Sequence, residues 1–323
     1  MSQTRLGVVL STATDAPPRE LMEIGKLAED HGYAAVLVNE GRGDALACAE
    51  AIALATSTIK VGTNIANIYY RHAFLAAMTA QTIAELSEGR LILGLGMSHR
   101  PLLEAMGIEM TNPRQYLGEY AQTVKGILNG EAGSGFFEAK ACQYDVPILL
   151  AALTTASAEV AGREADGIMP FLAGRNYLGQ LIKAAKDAAT SVGKDPQSMD
   201  CIMSIPTFVS DDNDAALSAA RHNLAFFAGL PNYRLQWRRC GFEAEMAAAE
   251  KAWENSDRRD AAAAISDEMV EQICIYGSPG QCREQIEAFR QAGAAMPVLA
   301  VSPVNEQRLA ATRSAIKLLR VSD

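Results

Sequence analysis

The 323-residue sequence lacks the signatures of several common functional classes. Its six cysteines lie far apart and include no C-x-x-C pair, so neither a zinc site nor a disulfide framework is indicated, and we expect no bound metal. No apolar run approaches the roughly 18 residues of a membrane-spanning helix, and the N-terminus shows no apolar segment with a cleavage site. We therefore expect a cytoplasmic protein that makes no membrane contact.

Basic patches and nucleotide-binding motifs are also missing. The formal net charge is −9 and the basic residues are scattered, so the chain has no electrostatic footprint for nucleic acid. There is no G-x-G-x-x-G after a first strand and no P-loop, which argues against a Rossmann nucleotide site and an NTPase. Nucleic acids and nucleoside triphosphates are therefore set aside as partners.

What the sequence does contain is an alternation of short Val-, Ile- and Leu-rich runs with longer Ala- and charge-rich stretches of helical periodicity. This is the pattern of βα units. Strands are predicted at 6–11, 34–39, 59–66, 91–96, 147–152, 167–171, 201–209 and 297–301. Eight buried strands that each return through a helix predict an α/β fold, a (β/α)8 TIM barrel, with an open doubly wound sheet as the alternative.

The length and the 49% hydrophobic content favour a single domain over residues 1–323. Two departures from even spacing predict insertions near 130–146 and 229–275, at the C-terminal mouth of the barrel. The second insertion includes helical sequence at 243–264, which we expect to cover the mouth. Helix starts are predicted at Pro17–Pro18, Asp44, Asn112–Pro113 and Asp211–Asp212.

Polar residues follow several of the predicted strands. In a barrel of this kind the active site is built from the loops at the carboxyl ends of the strands. These loops fall in the segments 39–44, 64–72, 96–100, 153–156, 172–176 and 210–212. We expect the active-site residues among them.

Several strings in the sequence carry a resemblance to a known family. SEGRLILGLGMS (87–98) resembles the segment that leads into the fourth strand of the luciferase-like monooxygenase superfamily. VGTNIANIYYRH (61–72) resembles the third strand in the branch that uses the deazaflavin coenzyme F420, which includes methylenetetrahydromethanopterin reductase. The likeness covers nearly the whole chain, because later landmarks also match: AALTTASAEVAGREADGIMP (151–170), VSDDNDAA (209–216) and YGSPGQC (276–282).

The resemblance implies a cofactor site at the barrel mouth. It implies a bulged third strand with a non-proline cis peptide at Asn64–Ile65, pressed against the cofactor ring; an ordinary barrel strand is the alternative. The phosphate end is expected where the fifth and sixth helices begin, beside Thr154 and Arg175, for which a routine N-cap and a solvated arginine are the alternatives. The expected cofactor-binding residues are Glu40, Asn64, Ile65, Asn67, Gly96, Ser98, Leu153, Thr154, Gly174 and Arg175.

Two residues are candidates for catalysis. His99 follows the fourth strand, where an unperturbed pKa would let it act as a general acid near neutral pH; a structural or substrate-orienting role is the alternative. Glu40 ends the second strand, where relatives place a carboxylate against the deazaflavin ring; an ion pair with Arg42 is the alternative. Gly41 and Met97 stand where the sugar-phosphate dehydrogenase branch has its catalytic His and Glu, which disfavours that reaction.

The resemblance favours an oxidoreductase that transfers hydride between coenzyme F420 and a small organic substrate, reducing an activated C=C, C=N or C=O bond or running in reverse. One alternative is an FMN-dependent monooxygenase that receives reduced flavin from a separate reductase. Another is a non-catalytic barrel that binds a flavin. Family members commonly form homodimers, so the resemblance implies a homodimer here.

Overall fold

The computed structural model describes residues 5–13, 16–131 and 140–321, so residues 132–139 of the insertion predicted at 130–146 lie outside it. The strands are β1 (Gly7–Ser11), β2 (Ala35–Asn39), β3 (Lys60–Thr63), β4 (Ala66–Asn67), β5 (Leu91–Gly96), β6 (Ile148–Ala151), β7 (Gly167–Met169), β8 (Asp200–Val209), β9 (Ile275–Gly277) and β10 (Met296–Val301). The helices are α1 (Pro18–Asp30), α2 (Ala45–Ala55), α3 (Ala73–Leu86), α4 (Arg100–Ala105), α5 (Pro113–Leu128), α6 (Thr155–Glu164), α7 (Arg175–Ser191), α8 (Asn213–Ala228), α9 (Pro231–Arg239), α10 (Glu243–Glu254), α11 (Arg258–Ala263), α12 (Asp267–Ile273), α13 (Pro279–Gln291) and α14 (Arg308–Leu318), with a 3-10 turn at Pro196–Ser198. Within the described ranges, no helix combines the length and the hydrophobicity that crossing a lipid bilayer requires.

Eight of the strands form a closed parallel barrel. They follow the order β1, β2, β3, β5, β6, β7, β8 and β10, and β10 pairs with both β8 and β1. At the closing seams Val298 lies opposite Gly7 on one side and Ser204 on the other. The predicted (β/α)8 TIM barrel is therefore confirmed, and closure rules out the open doubly wound sheet.

The barrel strands are buried on both faces, because alternate side chains point into the barrel and toward the helices. In β2, Val36 and Val38 belong to the outer core shared with the helices, whereas Ala35 and Leu37 belong to the core inside the barrel. The inner core consists of Ala35, Leu37, Ile92, Leu149, Met169, Ile202, Met296 and Val298. Most of these residues lie in the first half of their strands, so the barrel is filled at that end and has room at the other.

The third strand departs from its predicted span of 59–66, since it is interrupted between Thr63 and Ala66, and the peptide bond between Asn64 and Ile65 is cis. β3 ends at Thr63 and pairs with β2 and β5, and the chain resumes pairing with β5 as β4. At the break, the Thr63 hydroxyl donates to the Gly94 carbonyl at 2.7 Å and accepts from the Gly94 N–H at 3.1 Å. The Thr63 side chain thus hydrogen-bonds to the two backbone groups of Gly94, which would have no strand partner where the pairing of β3 with β5 is interrupted.

The predicted helix starts agree with the structure. The side chain of Asp44 caps the amino end of α2, and that of Asp212 caps α8. Helices α1 and α5 begin at Pro18 and Pro113, where proline costs no hydrogen bond because the first N–H groups of a helix have no partner within it.

The insertion predicted near 229–275 consists of α9 to α12, and α9 is the part that lies over the barrel mouth. The Trp237 indole N–H donates to the Leu172 carbonyl at 2.8 Å and ties α9 to the loop after β7. Helix α10 packs against α8 instead, where Trp253 donates to the Ala225 carbonyl at 2.9 Å. The expectation that residues 243–264 cover the mouth stays a prediction.

Candidate active site

A cavity of about 920 Å³ lies at the carboxyl ends of the barrel strands. Four of the six predicted mouth segments contribute to its lining: 39–44, 64–72, 96–100 and 153–156. The other two, 172–176 and 210–212, supply no lining residue in the part of the chain that the structure describes. A cavity of this size and place suits a cofactor together with a small substrate.

Five polar side chains on the cavity wall each have a buried atom without a hydrogen-bond partner among the described residues. These atoms are Asn39 Oδ1, Asn64 Nδ2, Asn67 Nδ2, His99 Nδ1 and Ser204 Oγ. An unpaired buried polar group costs about 1–3 kcal/mol, so native structures leave few of them. Because all five border one cavity, they indicate a polar ligand that completes their hydrogen bonds.

Glu40 is a fully hydrogen-bonded carboxylate at the edge of the cavity. Its Oε2 accepts from the Asn67 backbone N–H at 2.6 Å and from Arg71 at 3.0 Å, and its Oε1 accepts from Arg71 and from the Ala45 N–H. The side chains of Glu40 and Arg71 are 4% and 9% exposed. Burial alone would lower the pKa of Arg71, but the hydrogen bonds and the charge of Glu40 raise it. From the sequence, Arg42 was the expected ion-pair partner of Glu40, and the pairing with Arg71 was not predicted.

His99 is the N-cap residue of α4, and it lines the cavity. The centre of its ring lies 5.3 Å from that of Tyr233. Burial lowers the pKa of His99 below its usual value of 6.5, because the charged imidazolium is poorly solvated there. This corrects the expectation of an unperturbed pKa: near neutral pH the imidazole is mainly neutral, and it can accept a proton or donate a hydrogen bond.

The amino end of α6 reaches the cavity through Leu153, Thr154 and Ser157. Thr154 is the N-cap: its hydroxyl accepts from the Ser157 N–H at 3.2 Å and lies 3.1 Å from the Ser157 hydroxyl. The first turn of a helix offers N–H groups and partial positive charge, which together favour an anion. Thr154 therefore caps α6 at the helix end where we expect the cofactor phosphate.

Gly174 and Arg175 are not among the described residues that line the cavity. A guanidinium nitrogen of Arg175 donates to the Glu271 carbonyl at 2.7 Å, and the group lies 5.6 Å from the centre of the Phe289 ring. Asn176, the next residue, donates to the Cys240 carbonyl at 2.8 Å. Because the segment around α9 packs over the start of α7, the structure does not support the expected cofactor contacts of Gly174 and Arg175.

The remaining residues expected at the cofactor divide into two groups. Ile65, Asn67 and Ser98 line the cavity, and Ser98 has a left-handed backbone, with φ of 60°, where the chain turns from β5 toward α4. Gly96 lies against Ile65: a Cβ atom at this position would come within 2.6 Å of Ile65 Cγ1 and 3.2 Å of Ala151 Cβ. Gly96 therefore gives Ile65 room, and is not itself part of the lining.

Several lining residues were not singled out from the sequence. Asn39 stands at the start of the predicted segment 39–44, so the rule that strand ends carry active-site residues could have found it. Ser204 lies in the middle of β8 and Phe227 lies in α8, and their sequence surroundings are those of core residues. Phe171 and Tyr233 likewise line the cavity, and their role depends on how α9 packs.

The family model for luciferase-like monooxygenases matches residues 1–296. A 5,10-methylenetetrahydromethanopterin reductase of Methanolobus tindarius is 27% identical over 316 residues, which cover 94% of this chain and 95% of that protein. A putative coenzyme F420-dependent oxidoreductase of Mycobacterium tuberculosis is 24% identical over 336 aligned positions, covering 94% and 97% of the two chains.

A solved structure with a similar fold is the coenzyme F420-dependent tetrahydromethanopterin reductase from Methanopyrus kandleri. It matches this chain with a TM-score of 0.81 and 22% sequence identity, over 98% of this chain and 97% of that one. At this identity the likeness shows the shared barrel fold.

Proposed function

The chain belongs to the luciferase-like monooxygenase family and is an enzyme, and from this premise we propose that it transfers hydride between coenzyme F420 and a small organic substrate. The substrate carries an activated C=C, C=N or C=O bond, or the alcohol or amine that corresponds to it. The relatives support the cofactor, since their names include an F420-dependent oxidoreductase and reductases of the same barrel fold. The structural observation that carries the proposal is the set of five unpaired polar atoms around the cavity at the barrel mouth.

The residues present fit a deazaflavin. Its ring has a polar edge on which C=O and N–H groups alternate, and amide side chains suit such an edge because each offers both a donor and an acceptor. Asn39, Asn64 and Asn67 are the lining amides that each have a buried atom without a partner among the described residues. The cofactor phosphate would bind at the amino end of α6, at Thr154 and Ser157. Ile65, Ser98 and Leu153 complete the set that we assign to holding the cofactor.

When bound, coenzyme F420 supplies the ring carbon that donates or accepts hydride. We assign the accompanying proton to His99, whose buried Nδ1 has no partner among the described residues. When an alcohol is oxidised, the neutral imidazole takes the hydroxyl proton. When a carbonyl is reduced, the imidazolium gives a proton to the oxygen. Because the pKa of His99 is lowered, the imidazole can accept the alcohol proton at neutral pH, and it donates a proton to the carbonyl oxygen mainly at lower pH.

Glu40 has a positioning role in this proposal, in place of the catalytic and ring-contacting roles expected from the sequence. Each of its carboxylate oxygens already accepts two hydrogen bonds from the protein. One of these bonds fixes the backbone of Asn67, whose side-chain amide reaches the cavity. Glu40 therefore supports a cofactor contact and takes no part in proton transfer.

A homodimer is supported by an apolar surface on the outside of the barrel. Leu75, Met78 and Leu86 on α3 are each roughly half exposed, and Leu54 on the adjacent α2 is more exposed still. Large apolar side chains exposed on two adjacent helices are a common mark of an association surface, and two-fold dimers are the commonest assembly. Sedimentation equilibrium of the wild-type protein and of a Leu75→Glu/Met78→Glu variant tests this, since the variant should be monomeric.

The proposed function is tested by titrating the purified protein with oxidised and reduced F420 and with oxidised and reduced FMN. Binding is followed by cofactor fluorescence, and oxygen consumption is followed with the reduced forms. We expect tight binding of F420 with no oxygen uptake. Rapid oxygen uptake with reduced FMN, together with no F420 binding, would overturn the proposal in favour of a monooxygenase.

A further inference from the structure

The cavity has two chemically different sides. The unpaired amides of Asn39 and Asn64 belong to the ends of β2 and β3. Across the barrel, the loop after β7 and the helix after β8 contribute Phe171 and Phe227, and α9 contributes Tyr233. In the closed strand order, β7 and β8 stand opposite β2 and β3, so the amides and the aromatic rings face each other, with the Ser204 hydroxyl of β8 on the aromatic side.

We call Phe171, Phe227 and Tyr233 the aromatic wall. The ring centres lie 5.4 Å apart for Phe171 and Phe227, 5.1 Å for Phe227 and Tyr233, and 6.0 Å for Phe171 and Tyr233, and all three pairs meet edge to face. This arrangement is favoured for aromatic rings, because the positive edge of one ring meets the negative face of the next. The aromatic wall is therefore a continuous surface on which an aromatic ring of a ligand can pack edge to face in the same way.

The aromatic wall is held in place from behind. Gln236 donates to the Phe171 carbonyl at 3.1 Å, and Trp237 donates to the Leu172 carbonyl at 2.8 Å. The Trp237 ring also packs against Tyr233, with 5.9 Å between ring centres. These contacts fix α9 on the loop after β7, so the wall exists before any ligand binds and little ordering is needed on binding.

The wall ends at His99. The imidazole centre lies 5.3 Å from the centre of the Tyr233 ring, and both residues line the cavity. Leu102, Met110 and Leu235 add apolar surface to the same lining. A ligand that packs on the aromatic wall therefore lies next to an imidazole that suits proton transfer, with the polar side chains of Ser204 and Asn232 in the same lining.

We propose that the substrate carries an aromatic ring that packs on the aromatic wall, with its reducible C=O or C=N group next to the ring and directed at His99. This inference rests on the proposed function. In the reducing direction the substrate carbon gains a hydride from reduced F420, the π bond to oxygen or nitrogen breaks, and that atom gains a proton from His99. The substrate is reduced by two electrons and F420 is oxidised by two. The reverse reaction returns the hydride to oxidised F420 and the proton to His99.

The test compares two ketones of similar size, acetophenone and cyclohexyl methyl ketone, of which only the first is aromatic. Their dissociation constants are measured by saturation-transfer NMR, with the protein alone and with oxidised F420 added. An edge-to-face aromatic contact is worth 0.5–1.5 kcal/mol beyond area burial, so we expect acetophenone to bind about fivefold more tightly.

Three variants locate the preference. Phe227→Leu removes one ring of the wall and keeps its apolar character, so it should reduce the preference for acetophenone about threefold and leave the other ketone unaffected. Phe171→Leu should do the same, which covers the case in which one of the two variants fails to fold. Phe226→Leu is the matched control, because Phe226 is 62% exposed, adjoins Phe227 and is not among the described lining residues.

The outcomes separate this inference from the proposed function. If F420 binds and the two ketones bind equally, or if Phe226→Leu weakens acetophenone as much as Phe227→Leu does, the aromatic site is wrong and the cofactor assignment stands. If acetophenone is preferred through Phe227 and Phe171 but F420 does not bind, the aromatic site stands and the proposed function fails.

Discussion

Arg71 donates hydrogen bonds to both carboxylate oxygens of Glu40, which lies 31 residues earlier in the chain. The pair joins the end of β2 to the loop that leads into α3, next to the amide of Asn67 in the cavity. Both side chains are nearly inaccessible to water, so the charge of Glu40 depends on Arg71 for compensation, whereas Arg71 also lies 3.2 Å from the exposed carboxylate of Asp44.

Replacing Arg71 with methionine should therefore destabilise the protein by about 3–5 kcal/mol, because the Glu40 carboxylate would remain buried without a counter-charge. Urea unfolding measures this loss. The double variant Glu40→Gln/Arg71→Met is the control, since it removes both charges and should lose less stability than the single variant. Equal losses would show that Arg71 acts through packing and not through its charge.

The His99 assignment predicts a pH dependence of the reaction. Burial lowers the pKa of His99 below its usual value of 6.5, so its protonated form predominates only in acid solution below that pH. Carbonyl reduction should accelerate as the pH falls through this window, and alcohol oxidation should slow. His99→Asn should remove this dependence and reduce turnover roughly 100-fold, as is usual for loss of a general acid or base.

The control for His99 is His72→Asn. His72 caps the amino end of α3 by accepting from the Phe74 N–H, and asparagine can make the same kind of cap. We expect its pH profile to match that of the wild-type enzyme. If the rate of His99→Asn still changes as the pH falls, the way the wild-type rate does, a group other than His99 transfers the proton.

Thr154→Ala should weaken F420 binding about tenfold, because the hydroxyl lies at the helix end assigned to the cofactor phosphate. It should also cost about 1 kcal/mol of stability through the lost N-cap. Ser278→Ala is the matched control, since Ser278 caps α13 and is not among the described lining residues. Both variants should unfold at similarly reduced urea concentrations, and fluorescence titration should show weaker F420 binding for Thr154→Ala alone. The phosphate assignment fails if the two variants bind F420 equally well.

Thr63→Val should destabilise the protein by about 2 kcal/mol, although valine has nearly the same shape as threonine. The change removes the hydroxyl that pairs with the N–H and the carbonyl of Gly94, and both backbone groups are buried. Thr63→Ser keeps the hydroxyl and should retain more of the stability. If Thr63→Val unfolds at a higher temperature than Thr63→Ser, side-chain packing and not hydrogen bonding stabilises the chain at the interruption between β3 and β4.

The barrel could be predicted from the sequence because burial on both faces leaves a continuous apolar run for each strand. The interruption after Thr63 left no mark in that apolar pattern, and it was anticipated through family resemblance. The surroundings of Arg175 could not be predicted from the sequence because they depend on how α12 and α13 pack, where its guanidinium contacts the Glu271 carbonyl and the Phe289 ring. The partner of Glu40 was missed for a similar reason, since the path of the loop after β4 brings Arg71 back to it.

Gly96 shows how the selectivity of this enzyme can change from outside its cavity. Any larger residue there would meet the Ile65 side chain, which would have to move because a Cβ atom would come within 2.6 Å of it. The shape of the reaction space would change although no lining residue had been altered. A mutational survey limited to residues that touch a ligand would overlook this position, whereas selection for altered substrates, in nature or in the laboratory, could find it directly.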